Sequence, residues 1–503
     1  MKPPVSAADG SPERRLTLFD TTCIIVGIVI GSSIFQSSPF IAYNVSRPSV
    51  DAYSVWVSVT EARRGLTMEE ARNAAYMGTA GWEYDLVCGA GLQFAWATGG
   101  LIALVGALCF AELATTYPQE GGTFVYLTRA FGRSVGLAFA WAEFWIIRPG
   151  NIGAVAYVAA NYLQQLAPLP PVGIVPPELL WSLGMVAVIT ALNLGGFTLE
   201  RRLQNGLTVL KVLGIAAIVA TAYFGTTPRD YQPADDPWLK TGLAQSFPLA
   251  LVLIMFAYGG WSDMVSVAAE VREPQKNLFR ALVLGLLCVM GVYLAVNQGF
   301  VEALGYRGLR NSNAVAAELM GLHYGETGRR LISALIVVSC LGSIHGMIFT
   351  SSRAFFAAGA AHPLLSWLGV WNAARGVPVR ALVVQGCATV ALILIFTGKN
   401  GFERLVLLTG PFYWGFLLLT ALGLVWLRRK EPQTPRPYRV PFYPFTPIVF
   451  GLSCLALCYS AVDYMIDNQD WYGAIWPALV IVSGAIVVGL DRKQAHVGSP
   501  PKA

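Results

Sequence analysis

Long apolar runs dominate the chain and define its predicted elements. A helix that crosses the hydrocarbon core of a bilayer needs about 20 apolar residues. Twelve runs approach that length, near 18–42, 92–117, 134–163, 177–197, 206–226, 244–271, 280–301, 331–360, 380–398, 404–427, 443–464 and 473–490. The pattern predicts an all-α integral membrane protein with twelve transmembrane helices, and the even number places both chain ends on the same side.

The composition excludes an ordinary soluble domain. Of the 503 residues, 55% are hydrophobic and 13% are charged, and the mean hydropathy is +0.54, whereas soluble domains carry about 25% charged residues. The formal net charge of +6 is explained by the Lys and Arg that membrane proteins gather in cytoplasmic loops. We therefore expect a lipid bilayer as a partner, and no nucleic acid.

Basic residues indicate how the predicted helices are oriented. Since cytoplasmic loops are enriched in Lys and Arg, the loops that carry them and both termini are predicted to be cytoplasmic, in a multi-pass protein of the cell membrane. Arg63, Arg64, Arg329 and Arg330 fall on the predicted outer side, so only the majority obeys the rule. The basic residues of the predicted cytoplasmic loops lie at 14–15, 129 and 133, 201–202, 276 and 280, 375 and 380, and 428–430.

The predicted spans divide the chain into a core and additions. Residues 18–427 would form a ten-helix core, and residues 428–490 would add two C-terminal helices. Residues 1–17 and 491–503 are predicted to be cytoplasmic tails. An external insert, 43–90, interrupts the core.

Two loops contain predicted short helices. In the insert, Thr67 and Glu70 have the spacing of a capping box, which predicts a short helix in an external cap. After the second span, PQEGGTFVYLTRAFG favours a short cytoplasmic helix that lies along the membrane interface. A mobile loop is the alternative for this second stretch.

Glycines interrupt two of the predicted membrane helices. GIVIGSSIFQ begins at Gly27, and the small residues Gly27 and Gly31 suit either a packing notch or a binding site. Five spans later, Gly259 and Gly260 interrupt the middle of span six. Paired interruptions in two halves of a chain indicate an inverted-repeat transporter, in which the half-helix ends hold both charges of a zwitterionic substrate.

Several motifs carry a family resemblance. GIVIGSSIF, ALCFAELATTYPQEGGTFVYLTRAFG, WIIRPG, FAYGGW, FTSSRAFF and RPYRVP follow one another between residues 18 and 445. In this order they resemble the L-type amino-acid transporter branch of the amino acid–polyamine–organocation superfamily. The resemblance implies the LeuT-like fold: a five-plus-five inverted repeat with discontinuous helices 1 and 6, followed by two extra helices.

The resemblance also implies the residues of a substrate site. The substrate carboxylate would meet backbone amides of Gly31, Ser32 and Ser33. The amine would meet carbonyl groups near Ile28 and around Phe256, Ala257 and Gly259. Phe256 matches the aromatic residue that closes over the substrate from the outer side.

The chain departs from the family pattern in three places. Ser33 stands where the family usually has a second glycine, so the pocket is expected to be tighter. The long insert replaces a short external loop. Residues 161–177 contain no cysteine, so we expect no disulfide-linked heavy chain, and the eight cysteines of the chain are interpreted as small core residues.

Lys211 is the most informative ionisable residue of the predicted spans. A lysine in lipid should face the protein interior or a cavity, and the alternative is that it extends to the nearby cytoplasmic surface. The resemblance implies that the Lys211 ammonium occupies the place where relatives hold sodium, which would make transport sodium-independent. A desolvated lysine could also titrate, so proton coupling through Lys211 is a further hypothesis.

Asp263 and His345 each have a structural and a functional interpretation. Asp263 is expected near the restart of helix six, where a carboxylate in a first helical turn is favoured. The alternative is that Asp263 faces the pocket and selects a cationic side chain or carries a proton. His345 could line the pocket or sense pH, but a lone histidine on an apolar face is more often a hydrogen-bonded core residue.

Charged residues near the cytoplasmic ends suggest a gate. Glu112 and Glu270 could pair with Arg129, Arg272 or Arg353 and lock the inner side, and solvated helix ends explain them equally well. Within span three, Glu143 and Arg148 are expected to neutralise each other or neighbouring groups, and a direct role in substrate binding is the alternative.

No catalytic constellation is present in the sequence. GxxxxGK[ST], HExxH and a supported Ser/His/Asp cluster are all missing, so we expect no enzyme, no cofactor and no metal ion. The sequence favours a secondary carrier of amino acids, mostly neutral ones, that works by exchange or proton symport. The alternative is a sensor of amino acids that keeps the fold without transporting them.

Overall fold

The computed structural model describes most of the chain. The described residues are 14–31, 33–45, 81–171, 173, 175–225, 247–312, 314–396, 401–467 and 471–497. The helix predicted at Thr67, most of the insert, both chain ends and Ser32 lie outside these residues.

Helices make up the described part of the chain, which contains no β-strand and only two isolated β-bridges. The helices are α1 (Leu18–Val29), α2 (Ser33–Gln36), α3 (Ser38–Val45), α4 (Gly81–Thr116), α5 (Thr123–Phe131), α6 (Arg133–Ala142), α7 (Arg148–Leu166), α8 (Pro177–Asn193), α9 (Phe197–Phe224), α10 (Phe247–Ala257), α11 (Pro274–Asn311), α12 (Val315–Ala361), α13 (Val379–Ile395), α14 (Gly401–Lys430), α15 (Phe445–Asp467) and α16 (Trp471–Val497). A π-helical turn, Glu143–Ile147, separates α6 from α7, and a 3₁₀ segment, Trp261–Glu270, follows α10; a short 3₁₀ turn, Pro363–Leu365, follows α12. The prediction of an all-α protein is confirmed.

The helices are suited to a membrane. Within the described residues, eight helical stretches are long and apolar enough to cross a bilayer, and three shorter apolar helices accompany them. Many large apolar side chains, such as Phe94 and Leu213, are exposed on the outer surface of the bundle, as expected where lipid replaces water. The chain is therefore a multi-span membrane protein, and the count of twelve spans and the inverted repeat stay predictions.

Both glycine-containing stretches interrupt the helices that carry them. Helix α1 ends at Val29 and α2 begins at Ser33, whereas α10 ends at Ala257 and the 3₁₀ segment begins at Trp261. The two breaks lie against each other: a Cβ atom on Gly260 would come within 2.5 Å of the Ile28 Cγ2 atom. Gly260 also has a φ of +93°, which side chains rarely adopt, so glycine is required here for two reasons.

The stretch after the second predicted span forms α5, as expected, and its position relative to a membrane interface stays a prediction. The side chains of Phe124 and Leu127 are buried in a small apolar cluster with α6 and α12. Gly121 donates its amide hydrogen to the Ser266 carbonyl oxygen (3.1 Å). The loop that precedes α5 is therefore bound to the 3₁₀ segment of the second broken helix.

Candidate substrate site

A cavity lies where the two broken helices meet. It has about 750 Å³ of empty space counted up to its open side. Its wall contains six of the predicted site residues: Ile28, Gly31, Ser33, Phe256, Gly259 and Asp263. The rest of the wall comes from Val29, Asn151, Val155, Val252, Gly260, Met347, Val406, Thr409, Gly410, Tyr413 and Trp414.

The backbone at the breaks is exposed to this cavity but partly satisfied within the chain. Gly31 donates its amide hydrogen to the Val29 carbonyl oxygen (2.8 Å), and Gly259 donates to the Phe256 carbonyl oxygen (3.0 Å). A carbonyl oxygen can accept a second hydrogen bond, so Phe256 keeps an acceptor for a ligand. The Gly31 amide would have to turn from Val29 to reach a carboxylate.

Tyr293, which the sequence analysis did not single out, connects the two breaks. Its hydroxyl lies 2.8 Å from the Val29 carbonyl oxygen and 3.0 Å from the Ala257 carbonyl oxygen. The ring of Tyr293 packs against Trp96 and Tyr258 with centroids 5.2 and 5.1 Å apart. Ala257, predicted to meet the amine, is thus bound to Tyr293 and is not part of the cavity wall described above.

Gly27 and Gly31 have different surroundings. A Cβ atom on Gly27 would come within 2.2 Å of Gln204 Nε2 and 2.3 Å of Thr208 Oγ1, so Gly27 is a packing notch against α9. A Cβ atom on Gly31 would have 3.3 Å to Ser343 Oγ, and Gly31 borders the cavity. Gly27 therefore fits the packing interpretation, whereas substrate binding at Gly31 stays a prediction.

Lys211 lies in the middle of α9 and its side chain is fully buried. The ammonium donates to the carbonyl oxygens of Gly27 (2.7 Å), Ile30 (2.5 Å) and Ser339 (2.9 Å). Ser343 Oγ lies at 3.4 Å. The side chain does not extend to the surface as the alternative interpretation supposed, because the helix begins earlier than the apolar run and Lys211 is far from its start. Three carbonyl oxygens and one hydroxyl oxygen, all neutral and all from the first break or α12, surround the charge.

His345 lies away from the cavity. Its side chain is fully buried and Nδ1 is 2.9 Å from Gln204 Oε1. This is the hydrogen-bonded core environment that the sequence analysis favoured, and His345 does not belong to the residues of the cavity wall.

The π-helical turn brings the side chains of Glu143 and Arg148 together. A π-helical turn links residue i to residue i+5, and the Arg148 amide accordingly donates to the Glu143 carbonyl oxygen. Arg148 Nε donates to Glu143 Oε1 at 2.9 Å, as the expected mutual neutralisation requires. The guanidinium also donates to both carboxylate oxygens of Asp263, at 2.5 and 2.9 Å. Asp263 lies in the first turn of the 3₁₀ segment, but its partner is Arg148 and its other face borders the cavity.

Glu112 has different partners from the expected ones. Its carboxylate accepts hydrogen bonds from Arg428, from Arg436 (3.4 Å) and from the Val440 amide (2.7 Å). The expectation that Glu112 pairs with Arg129, Arg272 or Arg353 is wrong, because the segment after α14 folds back over the end of α4. Glu112 and Arg428 are more than 300 positions apart along the chain. Their pairing could not be predicted from charges in neighbouring loops.

Glu270 pairs with Arg353, one of its predicted partners. Arg353 Nε donates to Glu270 Oε1 at 2.8 Å, and Arg353 Nη2 donates to Glu200 Oε2 at 3.1 Å. All three side chains are almost completely buried. The backbone carbonyl of Glu270 also accepts from the amides of Arg15 and Leu16 (2.8 and 2.9 Å), so this cluster binds the N-terminal segment to the second broken helix.

The cysteines differ in exposure. Cys23, Cys88, Cys109, Cys340 and Cys454 are buried, as expected of core residues, whereas Cys288 and Cys387 are exposed on α11 and α13. The core interpretation is wrong for these two, because they lie on outer helix faces of a bundle whose lipid-facing surface is as apolar as its interior. In the described residues every cysteine is free.

Glu120 makes stability depend on pH. It lies in the loop between α4 and α5, and its buried Oε1 atom has no hydrogen-bond partner among the described residues. Burial and the nearby Glu270 carboxylate raise its pKa well above 4.5, and Arg353 opposes this rise. The folded state therefore binds a proton more tightly than the unfolded state, so its stabilising effect is present at low pH and is lost as pH rises through the raised pKa.

We expect the thermal midpoint of the purified protein to decrease as the pH is raised from acidic to neutral. Glu120→Gln should make the midpoint depend less on pH over this range. Thermal unfolding in detergent over this range measures it. Glu326→Gln is the matched control, because the Glu326 side chain is 66% exposed and pairs with Arg330 on the surface. A profile of the Glu120 variant that keeps the wild-type slope would contradict the assignment.

Comparison with known proteins identifies the family. The family model described as amino acid permease matches residues 83–486, which is more than half of the chain. The chain belongs to the amino acid permease family. The match confirms the predicted membership of the amino acid–polyamine–organocation superfamily, and the named relatives lie in its L-type branch.

The relatives that match the chain are named as amino-acid or cystine/glutamate transporters. The human large neutral amino acids transporter small subunit 2 is 31% identical over 363 residues, which cover 69% of this chain and 64% of that protein. The human cystine/glutamate transporter is 26% identical, with 88% and 79% covered. The mouse b(0,+)-type amino acid transporter 1 is 26% identical, with 95% and 87% covered. This member of the family thus spans less than two thirds of the length of the human large neutral amino acids transporter small subunit 2.

Proposed function

We propose that the protein is a secondary carrier that moves amino acids across the cell membrane by alternating access, independently of sodium. One observation carries the proposal: the two interrupted helices meet at a single cavity, whose wall includes the backbone of both breaks. Interrupted backbone at membrane depth requires a cavity or a ligand, because unpaired N–H and C=O groups are costly in lipid. A zwitterion supplies a partner for both kinds of group.

The substrate backbone would be held by the broken helices. We assign the carboxylate to the amides of Gly31, Ser32 and Ser33, where the positive ends of helix dipoles point. The amine would bind carbonyl groups near Ile28, Phe256 and Gly259. Phe256 borders the cavity and is half-buried, which suits an aromatic side chain that covers a bound substrate.

Lys211 is proposed to replace a coupling cation. Its ammonium contacts the carbonyl oxygens of Gly27 and Ile30 at the first break, and backbone carbonyl groups are also the ligands that a sodium ion prefers at such unwound segments. A fixed positive charge at this place removes the need for sodium.

The names of the relatives support an amino-acid substrate. Large neutral amino acids, cystine and glutamate appear in the names of related transporters. We propose mostly neutral amino acids here, carried by exchange or by proton symport, with both termini in the cytoplasm and without a disulfide-linked heavy chain.

Uptake into liposomes tests the proposal. The purified full chain is reconstituted in liposomes loaded with unlabelled amino acids, and entry of labelled leucine and alanine is measured with and without sodium and a proton gradient. We expect entry that depends on internal amino acid or on the proton gradient and is unchanged by sodium. Binding without any entry would overturn the carrier and favour a sensor, and entry that requires sodium would overturn the role of Lys211.

A further inference from the structure

Glu143, Arg148 and Asp263, here called the charge cluster, form a part of the cavity region that the proposed function leaves unused. One guanidinium faces two carboxylates: Arg148 donates to Glu143 Oε1 at 2.9 Å and to both oxygens of Asp263. The relative exposures of the three residues are 4%, 4% and 6%. With both carboxylates ionised, the cluster would carry a net charge of −1 inside the bundle.

A net charge in this environment requires compensation. An ion removed from water loses several kcal/mol of solvation free energy, which only a partner of opposite sign restores. Ionisable groups inside a membrane protein are therefore paired, or they mark the path of a proton or of a charged substrate. The cluster contains one pair and one additional carboxylate.

The surrounding elements supply no second cation in the described part of the chain. Tyr413 of α14 faces Asp263, and its hydroxyl lies 3.2 Å from Ser262 Oγ and 3.3 Å from the Gly260 amide nitrogen. Glu270, the other acid of the 3₁₀ segment, is bound to Arg353.

The 3₁₀ segment packs against α1, α4, α11 and α12, and the π-helical turn packs against α6, α7, α13, α14 and α16. The buried charged groups of these helices outside the charge cluster have other partners, such as His362 for Asp491 of α16. Asp20 of α1 accepts from Thr17 and Asn205, and Glu112 of α4 binds Arg428 and Arg436. Lys211 lies on α9, where neutral carbonyl oxygens at the first break hold its ammonium.

One of the two carboxylates, that of Asp263, borders the cavity. Asn151, Thr409 and Tyr413 also border it. Asn151 Oδ1 accepts a hydrogen bond from Thr409 Oγ1 at 3.2 Å. Together they make one polar wall in a cavity whose remaining side chains are mostly apolar. The end of a long substrate side chain would meet a carboxylate there.

We propose that the charge cluster binds one compensating positive charge during transport: a proton when the substrate side chain is neutral, and the ammonium or guanidinium of a cationic substrate in place of that proton. This inference rests on the proposed function and extends its substrate class to lysine-like and arginine-like amino acids. Neutral substrates then move together with a proton, and cationic substrates move without one.

The proton step is simple to balance. A proton from water adds to a carboxylate oxygen of Asp263 or Glu143 on one side of the membrane, and the same O–H bond releases it to water on the other side. Both acids bind Arg148, so either carboxylate can take up the proton. Nothing is oxidised or reduced.

Exchange between unlike substrates tests the inference. Liposomes that contain the full chain are loaded with lysine and a fluorescent pH indicator, and labelled leucine is added outside. We expect leucine to enter in exchange for lysine, the lumen to acidify by about one proton per leucine, and the exchange to be insensitive to membrane potential. Leucine against leucine should move no net protons, and external lysine against internal leucine should make the lumen alkaline.

Two variants locate the effect. Glu143→Gln and Asp263→Asn each remove one negative charge and keep the side-chain shape. In either variant the ratio of lysine to leucine transport should fall at least about tenfold, as expected when a buried charge loses its partner, and protons per leucine should fall towards zero. Glu143 does not border the cavity, so its variant separates charge from direct contact, and if one variant fails to fold the other decides. Glu326→Gln, at an exposed ion pair, should match the wild type.

The outcomes separate this inference from the proposed function. If leucine enters but lysine does not exchange, or if the exchange is driven by membrane potential and moves no protons, the charge cluster does not bind a compensating charge and the carrier function stands. If both variants keep wild-type proton coupling and lysine transport, the inference is wrong. If no amino acid enters under any condition, the proposed function itself fails.

Discussion

Replacing Lys211 with alanine is expected to abolish amino-acid uptake while leaving a folded protein. The ammonium donates to carbonyl oxygens of Gly27 and Ile30 at the first break and of Ser339 on α12. Without the ammonium these buried carbonyl groups lose their charged donor, and only the hydroxyls of Ser343 and Ser339 still donate to Gly27 and Ile30 among the described residues. Hydrogen bonds to a charged group contribute about 1.5–3 kcal/mol each. The first break then no longer has a fixed geometry against α12, and the substrate site that depends on it is lost.

Uptake in liposomes and thermal unfolding in detergent, measured on the same preparations, check this prediction. Lys276→Ala is the matched control, since Lys276 is 69% exposed and bonds weakly to Glu273 at 3.4 Å, and it should transport like the wild type. Lys211→Met, which keeps the length and removes the charge, should also be inactive. Unchanged uptake in Lys211→Ala would rule out the role assigned to this residue.

Sodium distinguishes a cation site from a purely structural lysine. If the oxygen atoms around Lys211 form a cation site, added sodium should restore part of the uptake of Lys211→Ala, because the ion can replace the missing ammonium. Wild-type uptake should not respond to sodium. If sodium has no effect on a folded variant, the lysine has a structural role without being a substitute for the ion.

Arg353→Ala is expected to produce the largest loss of stability. Arg353 lies between the carboxylates of Glu200 and Glu270, and all three side chains are buried. Removing the guanidinium leaves two uncompensated negative charges in the interior, and breaking a buried pair in this way lowers the free energy of unfolding by about 3–5 kcal/mol. We expect a strongly reduced thermal midpoint and poor yield of monodisperse protein.

A surface arginine of the same helix is the matched control. Arg330 also belongs to α12, and it forms an ion pair with Glu326. The side chain of Arg330 is 71% exposed and that of Glu326 is 66% exposed. Exposed pairs contribute about 0–1 kcal/mol, so Arg330→Ala should unfold near the wild-type temperature. Adding Glu200→Gln and Glu270→Gln to Arg353→Ala should restore part of the stability, because the uncompensated charges disappear. A triple variant no more stable than Arg353→Ala would point to lost packing of Arg353 on Phe349.

The local features of the fold were predictable from the sequence. The apolar runs predict helices because an apolar segment in lipid must satisfy its own backbone, and most observed helices begin or end within a few residues of these runs. Gly259 and Gly260 predict an interruption because glycine alone adopts the φ of +93° found at Gly260 without strain. Boundaries were less accurate where polar residues extend a helix beyond the lipid core, as in α9, which begins at Phe197.

The partners of charged residues were predicted only when they lie near one another in sequence or in matching helix ends. Glu143 and Arg148 are five positions apart, and Glu270 with Arg353 fits two helix ends on the predicted inner side. The pairing of Glu112 with Arg428, and of Asp263 with Arg148, joins residues far apart along the chain. A charged residue within an apolar run predicts that a partner exists, but the sequence does not identify that partner.

By itself, the sequence of this protein determined an all-helical membrane chain, the positions of two helix interruptions and the family to which it belongs, because hydropathy and glycine act through the local backbone. Only the tertiary structure decided which groups the interruptions contact. The contact of Lys211 with the first break, the bridge that Tyr293 forms between both breaks and the pairing of Arg148 with Asp263 beside the cavity all depend on helices that meet from distant parts of the chain. Hydrogen bonds and ion pairs act over a few ångströms in space, so sequence distance carries little information about them.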